Sequence, residues 1–164
     1  MERLDFVVCR KYSRIFRRHG GGKEGDLKIF SELPQPTLAA FKERFSIGDD
    51  EVPIITSMGD SFSWFLLTTR RIAWVGPSGV VALPLDEISD ATVDSEGMSR
   101  ARSKKDLRDL KVVSRDGNSH NIAFSSQADF FSMWNLLKAV AADNRRRGKA
   151  SDTLVVPGSI PRDE

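Results

Sequence analysis

The stretch FSWFLLTTRRIAWVGPSGVVALPLDEISD, residues 62–90, decides the fold because it contains three short apolar runs separated by two tight turns. The runs cover residues 62–67, 72–75 and 80–85, and each has the length and composition of a strand. Polar TTRR separates the first two, and a Gly-Pro-Ser-Gly turn separates the last two. Strands this close are antiparallel neighbours, because a parallel return needs a crossover of about a dozen residues or more. The stretch therefore predicts a β-meander.

Further strands are predicted on both sides of the meander. One precedes it at residues 52–57 and one follows at 88–94. Two more, at 110–114 and 120–124, flank an Asp-Gly pair that favours a hairpin turn. Seven strands at short spacing indicate a sandwich or barrel and not an alternating α/β fold.

Two helices accompany the strands. Residues 126–144 carry a wide apolar stripe, with Ser126 as N-cap and Asp129 in the first turn, and we expect this helix to cover the open mouth of the barrel. Residues 33–47 have a shorter 3-4 apolar spacing, which predicts a helix capped by Thr37 and ended near Gly48.

The two ends differ from this central unit. Residues 3–18 predict a short amphipathic helix with arginines opposite an apolar side, and Gly20-Gly21-Gly22 predicts a flexible joint after it. We therefore expect a basic N-terminal extension over residues 1–25, a domain over 26–144 and a flexible C-terminal tail over 145–164. An amphipathic basic helix either lies on an anionic membrane or packs on a protein, most often its own domain.

The bulk composition is that of a globular protein, with 40% hydrophobic and 29% charged residues in a chain of 164. No apolar run approaches the roughly 18–20 residues that span a bilayer. The N-terminus is a poor secretory signal, and the single cysteine, Cys9, excludes an intramolecular disulfide. These features predict a cytoplasmic protein. The formal net charge of +2 is unevenly spread, with basic clusters near residues 1–23, 99–108 and 143–149.

Longer segments resemble a known family. FLLTTRRIAWVG followed by VVALPLDEISDATV resembles the bacterial pleckstrin-homology-like (PH-like) and GRAM-like domains. DLKVVSRDGNSHNIAFSSQADFFSMWNLLKAV is similar to their closing hairpin and capping helix. The resemblance covers residues 36–143. It implies a mainly β (α+β) fold: a seven-stranded antiparallel, partly open barrel capped by a C-terminal amphipathic helix, here with an extra N-terminal helix.

The family's best-known activity, phosphoinositide binding, depends on a basic loop between the first two strands. The corresponding loop here, residues 58–61, is short and acidic and lacks the family's lysines and arginines. We therefore do not expect phosphoinositide binding. The resemblance implies a non-catalytic recognition module for a peptide, a protein or a membrane surface, with no cofactor.

Basic residues supply the candidate binding sites. Arg70 and Arg71 follow a Thr-Thr pair in a turn, where guanidinium groups either grip an anion or pair with nearby acids, and we favour the pairing. A second group lies in a polar loop: Arg100, Arg102, Lys104, Lys105 and Arg108. A third group lies on the predicted N-terminal helix and would face a membrane or a partner: Arg10, Lys11, Arg14, Arg17 and Arg18. The loop contains no aromatic residue for base stacking, so we do not expect nucleic-acid binding.

Enzyme interpretations find little support in the sequence. His19 and His120 are the only histidines, and neither has metal-ligand spacing to the other or to Cys9. Cys9 lies among arginines that would lower the pKa of its thiol, but an ordinary thiol is the expectation because no histidine lies close enough to activate it. Gly59-Asp60-Ser61 lacks the correctly spaced Asp-x-x-His of the esterase family that it resembles. We predict a non-enzyme without a metal site.

Two functions remain open. The first is recognition of another protein, in an adaptor, chaperone-like or immunity-type role, through an edge strand or the 95–108 loop; charge reversal at Lys104 and Lys105 would then weaken binding. The second is peripheral association with anionic membranes, at the inner membrane face, through the basic N-terminal helix and that loop. An exposed edge strand could also pair with a second copy of the chain to give a homo-oligomer.

Overall fold

The computed structural model describes residues 3–58, 64–93, 98–99 and 106–152. Its helices and strands follow in this order: α1 (Arg3–Arg18), β1 (Lys28–Ile29), α2 (Gln35–Phe45), β2 (Pro53–Met58), β3 (Trp64–Thr68), β4 (Arg71–Gly76), β5 (Gly79–Pro84), β6 (Ile88–Thr92), β7 (Asp109–Ser114), β8 (Ser119–Ala123) and α3 (Gln127–Asp152). Single 3₁₀ turns lie at Phe30–Glu32 and Leu85–Glu87.

The strands form two antiparallel sheets. The larger has the order β1-β2-β3-β4-β5 and the smaller has the order β6-β7-β8. The sheets do not close into a complete barrel, so the predicted mainly β, partly open architecture is confirmed. The structure adds one strand to the seven predicted, because Lys28 and Ile29 pair with Thr56 and Ile55 of β2.

The predicted meander is confirmed as β3-β4-β5. Thr68 and Arg71 frame the first turn, where the Thr68 hydroxyl accepts the backbone N–H groups of Arg70 and Arg71. Gly79 forms the second turn with φ of +115°, a conformation that favours glycine. Inward-facing residues of these strands, including the fully buried Ile72, join the main core between the sheets and α3.

Helix α1 belongs to the main core, and this corrects the predicted N-terminal appendage. Tyr12 and Phe16 are buried, and Val8 and Ile15 pack against the same cluster. The helix runs antiparallel to α3, with Lys11 beside Asp143 and Gly20 beside Ala128. Burying two aromatic side chains is worth several kcal/mol in transfer free energy, which fixes the helix on the domain.

The glycines after α1 form a compact turn where the sequence predicted a flexible joint. Gly20 and Gly22 have φ of +93° and +83°, and a side chain on Gly21 would collide with the Phe16 ring, with its Cβ 2.4 Å from the nearest ring carbon. The backbone N–H of Gly21 also donates to the carbonyl of Phe16. The glycines therefore let the chain fold closely over Phe16.

Helix α2 and the outer face of the larger sheet share a second, smaller core. Phe41 is fully buried and packs edge-on against Phe30. It also packs at a tilt against Phe45, whose ring contacts Trp64. The helix is shorter than predicted. Pro34 precedes its first turn, where Thr37 makes no side-chain cap, and the helix ends where Ser46 turns left-handed at φ of +47°.

Helix α3 confirms the prediction of a capped amphipathic helix. Ser126 caps it, because its Oγ accepts the backbone N–H of Asp129 at 3.0 Å. Farther along the helix, the Asn144 side-chain amide donates to the carbonyls of Leu85 and Ile88 and so connects the helix to the turn between β5 and β6. The helix continues to Asp152, which corrects the predicted end near residue 144 and the flexible tail from 145; residues 153–164 lie outside the described part of the chain.

Candidate binding surfaces

The outward side of α1 is a basic surface. We define the outer face of α1 as Arg10, Arg14, Arg18 and Lys23, with Phe6 and Val7 at its N-terminal end. All four cations are exposed, and in the described part of the chain none has an ion-pair partner. Together with Arg17 they line one shallow depression. Phe6 and Val7 are 51% and 56% exposed.

Two of the predicted basic residues of α1 have structural partners. Lys11 forms an ion pair with Asp143 of α3 and lies 6.0 Å from the ring centre of Tyr12. Arg17 forms an ion pair with Glu32. The structure thus divides the predicted set into two residues paired within the domain and three, Arg10, Arg14 and Arg18, available on the outer face.

Arg70 and Arg71 hold the β3–β4 turn to the start of β2. Arg71 makes a bidentate contact with Glu51, with distances of 2.8 and 3.1 Å. The Arg70 Nε donates to the carbonyl of Asp50 at 3.2 Å. This is the pairing that the sequence favoured over anion binding, and the Arg71 guanidinium is not available for a ligand.

The predicted basic loop falls mostly outside the described part of the chain. Arg100, Arg102, Lys104 and Lys105 lie outside the described residues. Arg108 is described, half-buried, and donates to the carbonyl of Leu107 at 2.9 Å. Leu107 is buried in the main core, so the end of this loop is anchored to the domain.

Strand β5 forms one edge of the larger sheet, and β6 and β8 form the edges of the smaller sheet. Val80 of β5 is 66% exposed and points away from the core. Strand addition at one of these edges, by a peptide or by a second copy of the chain, stays a prediction.

Cys9 and the two histidines have different surroundings in the structure. Burial against the core, reinforced by the charge of Asp5, raises the pKa of the Cys9 thiol above its usual value. This corrects the expectation that the neighbouring arginines would lower it. His19 is exposed, and His120 packs edge-on against Trp74 at 6.1 Å between ring centres. Among the described residues, no three Cys, His, Asp or Glu side chains are grouped to hold a metal ion.

A cavity of about 430 Å³ lies where the two sheets separate, and we call it the inter-sheet cavity. Its walls come from the ends of β3 and β4 on one side and from β8 and the start of α3 on the other. Trp64, Trp74 and Phe124 supply aromatic surface, and Asp109 and Asp129 supply carboxyl groups. Its volume is within the range of about 300–1,000 Å³ that is typical of small-molecule sites.

Asp129 is the most constrained polar residue of the cavity. It is 1% exposed, and its Oδ2 accepts the backbone N–H groups of Asp26 and Leu27 at 2.8 and 3.4 Å. Gly25 makes this approach possible, because a Cβ there would lie 2.1 Å from Oδ2. Burial raises the pKa of the Asp129 carboxyl, against the lowering effect of the two N–H groups and the Ser126 hydroxyl. Its charge therefore costs folding free energy at neutral pH.

Two buried polar atoms of residues that line the cavity have no hydrogen-bond partner in the described part of the chain. They are the Oδ1 of Asp129 and the Nε1 of Trp74, a residue that is 3% exposed. Trp134 shows the ordinary arrangement, since its Nε1 donates to the carbonyl of Ala91 at 2.9 Å. A buried unpaired donor or acceptor costs about 1–3 kcal/mol. The packing of the fold gives no reason for an unpaired donor and an unpaired acceptor on residues that line the same cavity.

Sequence reasoning did not find this cavity. It placed Asp129 in the first turn of a helix, and the structure confirms that position. Trp74 and Asp129 are far apart along the chain, and no motif connects them. Only the packing of the two sheets shows which polar atoms lack partners.

Comparisons with known proteins add little to this description. No family model matches the chain, and no curated protein matches it. Among solved structures, the chain is similar to inner membrane complex sub-compartment protein 3 from Toxoplasma gondii. The two are 14% identical with a TM-score of 0.39, over 76% of this chain and 95% of that one. At this TM-score the similarity carries no argument about function. Within the described residues, no helix has the length and apolar character needed to cross a membrane.

Proposed function

We propose that the chain is a non-catalytic, cytoplasmic PH-like module that binds an acidic surface of another protein through the outer face of α1. The observation that carries this proposal is a set of four exposed cations, three on α1 and Lys23 shortly after it, for which the described part of the chain supplies no ion-pair partner. The opposite side of the helix is part of the core. An adaptor, chaperone-like or immunity-type role would each use such a contact.

The rigidity of α1 favours recognition. Because Tyr12 and Phe16 are buried and Lys11 and Arg17 are paired, the helix is held before a partner arrives. Binding then costs little further ordering of the backbone. Guanidinium groups present several donors in a planar fork that matches a carboxylate, and Phe6 and Val7 add an apolar contact beside them.

The distribution of apolar residues on α1 favours a protein over a membrane. An interfacial helix buries a wide apolar face about 5–10 Å into the bilayer boundary. Here the wide apolar side, with Tyr12 and Phe16 at its centre, is packed against the domain. Among the α1 side chains whose burial the structure describes, Phe6 and Val7 are the large apolar ones that are exposed, and they offer a small apolar area for lipid. Peripheral membrane association, the second function that the sequence left open, is therefore the alternative outcome of the test.

The test compares two charge-reversed proteins. The first carries Arg10→Glu, Arg14→Glu and Arg18→Glu. The matched control carries Lys42→Glu, Arg44→Glu and Arg115→Glu, the same change in net charge at exposed sites on α2 and in the β7–β8 turn. Tagged full-length proteins are used to purify partners from the native host at moderate salt. The partner retained by wild type is then titrated against all three proteins.

We expect the α1 variant to bind the purified partner about tenfold more weakly or worse, with a shallower salt dependence, and the control to bind as wild type does. Equal binding by the two variants would contradict the proposal. If wild type retains no protein partner but sediments with phosphatidylserine-containing vesicles at moderate salt, and the α1 variant does not, the membrane alternative replaces it.

A further inference from the structure

The inter-sheet cavity supports an inference that is independent of the outer face of α1. Two of its lining residues carry a buried atom for which the described residues supply no hydrogen-bond partner, the donor Nε1 of Trp74 and the acceptor Oδ1 of Asp129. A ligand that complements both atoms must itself offer a donor and an acceptor. Such a ligand would satisfy the two groups that folding leaves unsatisfied.

The charge of the lining indicates which kind of hydrogen-bond donor the ligand carries. Among the described residues, three carboxyl groups line the cavity, those of Asp26, Asp109 and Asp129, and no lysine or arginine does. Asp26 and Asp109 are exposed and lie where the cavity meets solvent. This arrangement attracts a cation and repels phosphate or carboxylate ligands. An ammonium group is a cation that donates hydrogen bonds, so it meets both requirements at Asp129.

The rest of the lining limits the size and polarity of the ligand. The aromatic walls come from Trp64, Trp74 and Phe124. Such walls suit a short aliphatic group, and their ring faces attract a cation. Both residues line the cavity, but the two unpaired atoms themselves, the Nε1 of Trp74 and the Oδ1 of Asp129, are closed to a water-sized sphere. A small side-chain adjustment in the walls therefore accompanies binding, as is common at ligand contacts.

We infer that the inter-sheet cavity binds an organic primary ammonium group with a nearby acceptor oxygen, with Asp129 accepting from the ammonium and Trp74 donating to the oxygen. A free amino amide and the amino-terminal residue of a peptide share this chemistry. In both, the carbon that bears the ammonium group is bonded to a carbonyl carbon. Both can also carry an apolar side chain that contacts the aromatic walls.

The indole N–H resonances of the full-length protein provide the test. The chain has three tryptophans, and the Nε1 of Trp134 is bonded to Ala91 within the fold, so its signal is an internal control. The probe is leucinamide, and its neutral control is N-acetyl-leucinamide. We expect leucinamide to move the Trp74 signal saturably, with Kd of about 1 mM or tighter, and to leave that of Trp134 in place. N-acetyl-leucinamide should bind about tenfold more weakly or not at all.

Two variants assign the contacts. Asp129→Asn keeps a carbonyl oxygen for the N–H groups of Asp26 and Leu27 but replaces the free acceptor with a donor. We expect it to weaken leucinamide binding about tenfold or more, while Asp143→Asn, the same change on α3 away from the cavity, has no effect. Trp74→Phe removes the indole donor and keeps an aromatic ring in the wall. Followed by the backbone amide of Asn121, which also lines the cavity, it should weaken binding several-fold.

Two results would contradict the inference. If the Trp74 signal does not respond to leucinamide at tens of millimolar, or if both cavity variants bind like wild type, the inference is wrong. The tripeptide Leu-Gly-Gly distinguishes the two sources of the ammonium group. Binding at least as tight as that of leucinamide supports a peptide amino terminus as the ligand, and loss of binding on chain extension supports a free small amine.

Discussion

On the inner side of α1, Tyr12 and Phe16 are 4% and 0% exposed and join the core, whereas on the outer face Arg10, Arg14 and Arg18 are exposed and unpaired among the described residues. The sequence shows both sides as one amphipathic basic helix, a pattern shared by membrane-surface helices and by helices packed on their own domain. In this structure the inner side contributes to folding, and the outer face is left for recognition. The same helix therefore predicts two kinds of mutational effect, which should separate completely.

The largest expected effect comes from the inner side. Phe16→Ala removes a fully buried aromatic ring beside Gly21, and we expect it to lower the free energy of unfolding by about 3–5 kcal/mol. Phe6→Ala is the matched control, because it makes the same substitution on the same helix at a side chain that is 51% exposed. It should change stability by less than about 0.5 kcal/mol.

Urea denaturation followed by circular dichroism measures both variants. If Phe16→Ala were no more destabilising than Phe6→Ala, α1 would be a detachable extension, as the sequence first predicted. The charge reversal at Arg10, Arg14 and Arg18 described above should also leave stability within about 0.5 kcal/mol, because exposed substitutions rarely do more.

The sequence predicted the sheets better than the ends of the chain, and the reasons are physical. The meander is local: Gly79 and the TTRR turn lie beside the strands that they connect, so their signals suffice. The two-residue strand at Lys28 is too short to have a period, and only its pairing with β2 defines it. Helix α3 passes Gly148 to reach Asp152 because arginine, lysine and alanine favour helix enough to outweigh one glycine.

The second expected effect uses the only tyrosine in the chain. Burial, reinforced by the charge of Asp143, raises the pKa of Tyr12 to about 12, against the lowering effect of Arg147. The phenol is therefore protonated more strongly in the folded state than in the unfolded state. Its contribution to stability is complete below about pH 10 and is lost as the pH rises towards 12, a loss of about 2 kcal/mol.

Absorbance of the phenolate follows this titration without interference from another tyrosine. We expect a midpoint near pH 12 in the folded protein and near pH 10 in urea. Tyr12→Phe should remove the phenol's share of the alkaline loss of stability, and circular dichroism shows whether the chain is still folded. A folded-state midpoint near 10 would mean that the inner side of α1 is open to solvent.

The candidate sites were less accessible to sequence reasoning than the fold. A run of arginines shows that a surface is basic, but not which members are paired: Arg71 meets Glu51 and Arg17 meets Glu32 through tertiary contacts. The unpaired atoms of Trp74 and Asp129 are defined by what is missing around them. Partners, and their absence, depend on residues distant in sequence, and one sequence does not show which residues those are.

The smallest expected effect concerns the ion pair between α1 and α3. Lys11 and Asp143 join α1 to α3, with side chains 44% and 18% exposed, so their attraction is screened by water. A double-mutant cycle with Lys11→Met and Asp143→Asn should give a coupling of about 0.2–1 kcal/mol. The matched cycle with Arg14→Met and Asp143→Asn should give none. Asp143→Asn should also lower the pKa of Tyr12, because Asp143 is one of the two causes that raise it. A coupling well above 1 kcal/mol would mean that charge pairing, and not the apolar inner side, fixes α1, and that the cations of the outer face could no longer be separated from folding.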